Sequence, residues 1–150
     1  MLSESARMSS AAEARFRMPA PASVSRVVKV VALDRACDHV VERLAEGSWS
    51  GVTFFPASAV ADRAAPLVED IATGDLVVMV AAVGADASRA ALIGKACSDR
   101  RVHTATFVVR AASASDEALS KTLAQVRPWS LMVVIVGDDN YVEDILRSFR

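Results

Sequence analysis

The run Leu76 to Val83, LVVMVAAV, is the longest apolar stretch of the chain and lies between Gly74-Asp75 and Gly84. A membrane-spanning helix needs about 18 or more apolar residues, so this run is too short to cross a bilayer. It is apolar at every position, which is typical of a central strand in a parallel sheet covered on both faces. Four other β-branched runs predict strands at Val27–Leu33, Gly51–Phe55, Val102–Val109 and Leu131–Val136.

Segments with helical spacing lie between these strands. In Cys37–Glu46, the apolar residues Val40, Val41 and Leu44 fall on one face, and Gly47 follows as a stop signal. Alternation of strands and helices requires parallel pairing with right-handed crossovers, so helices cover both faces. We therefore expect a three-layer α/β domain with a five-stranded, mostly parallel sheet. The other predicted helices are Ala57–Ala72, which contains Pro66, Asp86–Asp99, Ser115–Val126 and Asp138–Phe149.

A proline-rich stretch divides the chain near its beginning. The chain has 150 residues, which is the usual length of one domain. Pro19-Ala20-Pro21-Ala22-Ser23 disfavours helix and offers no core residues. We predict a flexible N-terminal tail over residues 1–23 and one α/β domain over residues 24–150. The large apolar residues of the tail, which a neighbouring subunit or partner would accept, are Leu2, Met8, Phe16 and Met18.

Charge and cysteine content narrow the partners and the compartment. Lys and Arg total 17 and Asp and Glu total 18, so the net charge is −1. No global field gathers anions, and we expect neither nucleic acid nor a membrane as partner. Cys37 and Cys97 match no metal or redox spacing, which predicts free thiols and a cytoplasmic location.

The polar loops after the first, third and fifth strands are the predicted site. Ligands of open parallel sheets bind beyond the carboxyl ends of the strands, where helix N-termini face the gap. The loops are residues 34–39, 84–89 and 137–140. The candidate ligand-binding residues in them are Asp34, Asp38, Gly84, Asp86, Ser88, Asp138 and Asn140.

Two kinds of ligand, a phosphate group and Mg²⁺, would suit these loops, and helix capping is the alternative role of their aspartates. A phosphate cradle requires glycine in the first loop, but Asp34 and Asp38 stand there and would repel a pyrophosphate unless Mg²⁺ or Arg35 intervened. Convergence of the loop aspartates would suit Mg²⁺, since hard cations prefer oxygen ligands. Helix N-capping explains the same aspartates without any ligand.

A thiol nucleophile is the enzymatic alternative. Cys37 and His39 stand near a helix start, where a base beside a thiol would favour nucleophilic chemistry. Side chains two positions apart on a helix do not face each other, however. We therefore assign no catalytic residue.

Five segments, taken in order, carry a family resemblance. The segment at 28–49, VKVVALDRACDHVVERLAEGSW, pairs a strand, loop and helix, and Gly51–Phe55 supplies a second strand. Asp75–Gly84 and Arg101–Val109 supply two more, and VRPWSLMVVIVGDDNYVEDI at 126–145 ends a strand in polar residues before a helix. This succession resembles the nucleotide-binding domain of the FtsZ/tubulin family.

Departures from that family bear on activity. Where the family has a double glycine after its first strand, this chain has Asp34 to Asp38, and only Gly84 remains of its later glycine run. About twenty residues separate the second and third strands, so one strand of the family is missing and the resemblance implies the order 2-1-3-4-5. The polymerisation half, which activates the hydrolytic water, has no room here. The resemblance thus implies that GTP hydrolysis is lost.

Two functions follow as hypotheses. The first is an FtsZ-like, Rossmann-like domain that acts as a protein-interaction or regulatory module, with a protein partner or a homo-oligomer. The alternative is a small-ligand or nucleotide-binding protein that uses the loops at the carboxyl end of the sheet, with or without Mg²⁺.

Overall fold

A computed structural model describes residues 27–57 and 75–148. The predicted tail, the greater part of the predicted helix Ala57–Ala72 and Phe149 lie outside the described residues. Five strands alternate with helices in the described part, at positions within one or two residues of the predicted strands. They are β1 (Val28–Ala32), β2 (Val52–Phe55), β3 (Leu76–Ala82), β4 (His103–Val109) and β5 (Met132–Val136).

The sheet has the order β2-β1-β3-β4-β5, which confirms the predicted order. Every pairing in it is parallel, so the sheet is more regular than the mostly parallel one expected. Val28 of β1 pairs with Val52 on one side and with Leu76 on the other. The first crossover therefore runs one way from β1 and the later ones run the other way, which places a switch point between β1 and β3.

Four α-helices accompany the strands in the described part of the chain. They are α1 (Asp38–Ala45), α2 (Arg89–Asp99), α3 (Asp116–Val126) and α4 (Asp139–Ser148). The predicted start of α2 at Asp86 is wrong by three residues, because the Asp86 carboxylate accepts the Ser88 N–H at 2.9 Å and holds a turn there. The predicted start of α3 is correct, since the Ser115 hydroxyl accepts the Ala118 N–H.

Alternate residues of each central strand enter two separate cores. On one face, Met79 of β3 packs in a cluster with Ile93 of α2 and Val126 of α3. On the other face, Val78 packs in a cluster with Val40 of α1 and Leu146 of α4. Helices thus cover both faces of the sheet, which gives the three expected layers. Nearly every residue of β1 and β3 is buried, as the continuous apolar runs predict.

A close approach between α2 and the turn before β5 fixes the start of that strand. A Cβ atom at Gly94 would overlap the Cβ of Trp129, so only glycine fits there. Trp129 also accepts a hydrogen bond from the Thr104 hydroxyl through its carbonyl, and the hydroxyls of Thr106 and Ser130 lie 2.6 Å apart. β5 is therefore joined to β4 and α2 before its first ladder residue.

Candidate functional site

A polar cleft lies at the switch point between β1 and β3. Its volume is about 490 Å³, within the usual range for a small-molecule site. The loops after β1 and β3 and the start of α2 bring three of the predicted acids together there, beside two arginines. The residues that line it are Leu33, Asp34, Arg35, Asp38, Ala57, Asp86 and Arg89.

Asp34 is a buried carboxylate with two backbone donors. Only 7% of its surface is exposed. One carboxylate oxygen accepts the Cys37 N–H at 2.9 Å and the other accepts the Ala82 N–H at 3.2 Å. Asp34 therefore caps the short 3₁₀ turn at Arg35–Cys37 and ties the end of β1 to the end of β3. Both oxygens are engaged within the fold.

Asp38 and Arg89 both bind the backbone of Ala57, which lies two residues after the end of β2. The Asp38 carboxylate accepts the Ala57 N–H at 2.7 Å, and the Arg89 guanidinium donates to the Ala57 carbonyl at 3.2 Å. These two charged side chains thereby satisfy both backbone groups of Ala57, which is itself buried. Both side chains also line the cleft.

The loop after β3 is fastened to α3. Gly84 has φ +89°, a backbone conformation that favours glycine, and its N–H donates to the Thr122 hydroxyl at 3.3 Å. Ala87 donates its N–H to the Gln125 amide oxygen at 3.0 Å. Hydrogen bonds from the Ser88 backbone and hydroxyl hold the pKa of the exposed Asp86 carboxyl below its usual value. Ser88 itself makes no side-chain cap of α2.

Asp138 and Asn140 stand apart from this cleft. The Asp138 carboxylate accepts the Asn140 N–H at 2.6 Å at the start of α4. Asp138 lines a second, mostly apolar cleft of about 370 Å³, with Cys37, Val40 and Val109 among its other residues. The fold thus separates the predicted residues, since Gly84 and Asp86 also line a third cleft of about 780 Å³ beside α3. Among the side chains that the structure describes, no three His, Cys, Asp or Glu residues are placed to share a metal ion.

The two thiols are poor nucleophiles in this fold. Cys37 is buried, and burial together with the Asp34 carboxylate raises its pKa far above the ordinary value. Burial also raises the pKa of Cys97 to about 11. His39, the neighbour that a base would require, is exposed on α1. Both thiols are free and stay protonated at neutral pH.

A different kind of surface, missed by the sequence reasoning, lies along β5. This strand is at one end of the sheet, and no described strand pairs with its outer side. Leu131, Met132 and Ile135 are 73%, 41% and 46% exposed. Tyr141, in the first turn of α4, is 58% exposed. We call residues 131–135 the β5 edge. Its signal was present in the predicted strand order, which already placed an uncharged strand at the end of the sheet.

Comparison with known proteins does not extend these observations. No model of a known protein family matches the chain, and a search of curated proteins finds no match. Within the described ranges, the helices are also too short or too polar to cross a bilayer.

Proposed function

We propose that this chain is a protein-interaction module, an FtsZ-like domain without GTP hydrolysis that binds another protein through the β5 edge. The observation that carries the proposal is the exposure of Leu131, Met132 and Ile135 on a strand whose outer side is unpaired among the described residues. An exposed apolar strand edge is a ready template for pairing with another chain. Burying such side chains yields roughly 25 cal/mol for each Å² removed from water.

The composition of the edge supports the same proposal. Proteins that keep an edge strand free of partners place charges, proline or a bulge in it. Residues 131–135, LMVVI, contain neither charge nor proline, and β5 keeps an uninterrupted parallel register with β4. The nearest exposed charged residues in sequence are Arg127 before the strand and Asp138 after it. An apolar centre with a charged rim is the usual arrangement of a protein-binding patch.

The predicted nucleotide loops favour this reading over catalysis. A phosphate cradle needs free backbone N–H groups close to a glycine turn. Three backbone N–H groups in these loops already donate hydrogen bonds to side chains of the fold. They are those of Cys37 to Asp34, Gly84 to Thr122 and Ala87 to Gln125. We therefore propose no hydrolytic activity. The two free thiols suit a cytoplasmic module, since a reducing compartment keeps thiols unpaired.

The test is site-specific photo-crosslinking in the source cells. A photoreactive amino acid replaces Ile135 on the β5 edge or, as the matched control, the exposed Ser98 at the end of α2. We expect a discrete protein adduct from position 135 and none from position 98, with the crosslinked protein identified by mass spectrometry. The same adduct pattern from both positions would contradict the proposal.

A small-ligand binder is the second candidate, and one observation favours it. Arg35 and Arg89 lie with three carboxylates in the cleft of about 490 Å³ at the switch point. This arrangement suits a zwitterionic or Mg²⁺-bound anionic ligand better than a bare pyrophosphate. A nucleotide at one hundred times its Kd would stabilise the fold by about 2.7 kcal/mol. Thermal melting with GTP and Mg²⁺ therefore separates the candidates, and under the leading proposal we expect almost no shift.

A further inference from the structure

The backbone of β5 determines which groups a partner would meet. The Val136 carbonyl accepts the Arg110 N–H at 2.8 Å, so Val136 directs its backbone groups toward β4. In a parallel ladder, successive residues direct these groups to opposite sides. Val134 therefore also faces β4, whereas Val133 and Ile135 direct their N–H and C=O groups outward. Leu131 donates its N–H to the Thr104 carbonyl of β4. The backbone groups that point away from β4 are therefore limited to Val133 and Ile135.

Resting on the function proposed above, we infer that the partner of the β5 edge is a second copy of this chain, joined by antiparallel β5 pairing across a two-fold axis. With the axis at Val134, Val133 of each copy exchanges backbone hydrogen bonds with Ile135 of the other. Because the two outward-facing residues lie symmetrically on either side of Val134, the backbone N–H and C=O groups of one β5 can all pair with those of an identical β5. A closed two-fold contact of this kind uses the same patch on both subunits.

Charge complementarity supports the antiparallel arrangement. Arg127 is exposed just before β5 and Asp138 is exposed just after it. Antiparallel pairing about Val134 places Ser130 of one copy opposite Asp138 of the other, so Arg127, three residues before Ser130, lies at the same end of the contact as that carboxylate. These charges remain at the rim, where they favour orientation more than affinity. No charge enters the centre of the contact, because residues 131–136 are all uncharged.

The contact needs more area than β5 alone. A stable interface buries about 800 Å² on each partner. Leu131, Met132 and Ile135 supply its exposed apolar centre, and Tyr141 in α4 supplies a large aromatic side chain near it in sequence. The helices α3 and α4, which precede and follow β5, are the elements that would enlarge the contact. The product is one continuous sheet that contains the five described strands of each copy, with helices on both faces.

A disulfide across the proposed axis tests the inference. In this register, Val134 faces Val134 of the second copy as a non-hydrogen-bonded pair, with Cα atoms about 4.5 Å apart, a distance that a disulfide accepts. We would oxidise the full-length Val134→Cys chain mildly and measure covalent dimer on non-reducing gels. The control is Thr53→Cys, exposed on the other terminal strand of the described sheet. The native Cys37 and Cys97 are buried and contribute little background.

We expect at least about tenfold more covalent dimer from Val134→Cys than from Thr53→Cys, because pairing raises the effective thiol concentration. We also expect the unmodified chain to reach dimer mass in sedimentation and Ile135→Lys to stay monomeric. A wild-type chain that stays monomeric at all concentrations, or equal disulfide yields from both variants, would overturn the second-copy inference. In that case, a photo-crosslink from position 135 to a different protein would still support the proposed function. The absence of any such adduct would overturn both.

Discussion

The loops at the carboxyl end of the sheet and the β5 edge differ in how their groups are satisfied. The loops carry the residue types associated with chemistry, yet Asp34, Asp38 and Asp138 each accept a backbone N–H within the fold. The β5 edge carries no such residue types, yet it leaves apolar side chains in water. Residue type alone therefore suggested a ligand site in the loops, where the carboxylates already accept hydrogen bonds from the backbone. The exposed apolar side chains indicate a different site, the β5 edge.

This difference between the loops and the β5 edge predicts that replacing the loop aspartates lowers the free energy of unfolding. The largest effect is expected for Asp34→Ala, which removes both acceptors of the Cys37 and Ala82 N–H groups in a buried position. A hydrogen bond to a charged group contributes about 1.5–3 kcal/mol, so we expect a loss of about 3 kcal/mol or more in the free energy of unfolding. Urea denaturation measures it. A loss below about 1 kcal/mol would show that this carboxylate is free to serve a ligand instead.

Asp38→Ala is expected to have the second largest effect. It removes the charge-assisted bond to the Ala57 N–H, in a partly buried position. We expect a loss of about 1.5–2 kcal/mol. Asp38→Asn, which keeps an oxygen acceptor at nearly the same place, is the matched control and should recover part of the loss. If both variants unfold like the wild type, the bond to Ala57 contributes nothing to stability.

Asp138→Ala tests an exposed member of the same group. Its carboxylate caps the start of α4 through the Asn140 N–H. Loss of a capping residue costs typically about 1 kcal/mol. Asp138→Ser retains a capping side chain and should unfold close to the wild type in the same urea titration. Equal destabilisation by alanine and serine would contradict a capping role.

Asp86 predicts a small dependence of stability on pH. Its pKa in the folded chain lies below the usual value, chiefly because of the hydrogen bond from the Ser88 N–H. The stabilisation is therefore present above the unfolded pKa of about 3.9 and is lost as the pH falls through the folded pKa. Melting temperatures of wild type and Asp86→Asn should converge as the solution is acidified. A difference that grows on acidification would contradict this sign.

Ile135→Lys is expected to change folding least. The side chain is 46% exposed and has no hydrogen bond to lose, so the free energy of unfolding of the monomer should stay within about 0.5 kcal/mol of wild type. Measurement at a concentration where the wild-type chain is monomeric separates folding from association. A large loss of monomer stability would place Ile135 in the core and would remove the basis for a free β5 edge.

The contrast also shows what the sequence could predict. The run LVVMVAAV at Leu76–Val83 correctly predicted a central strand, because a strand buried on both faces needs apolar residues at every position. β5 has a similar composition, MVVIV, yet lies at the end of the sheet with Ile135 exposed. Composition could not distinguish the two. The predicted strand order did place β5 last, and the consequence for exposure follows from that order alone.

The site residues show the other limit. Local sequence suggested that Asp34 was a ligand or a helix cap, and the cap is what the structure has. Its second bond, to the Ala82 N–H, joins residues 48 positions apart and depends on the pairing of β1 with β3. The late start of α2 has a similar cause, because the turn at Asp86 is held by Gln125 of α3 as well as by Ser88. Such long-range partners have no local pattern.

The position of β1 between β2 and β3 has a consequence for how the protein is made. β1 leaves the ribosome before the strands on either side of it, and Asp34 must wait for Ala82, 48 residues later, to complete its hydrogen bonds. At about 5–20 residues per second, this delay lasts roughly 2 to 10 s. During that time, an apolar segment that becomes an inner strand of the sheet is exposed on the nascent chain. Among the described strands, VKVVA at Val28–Ala32 is therefore the first that a chaperone would meet.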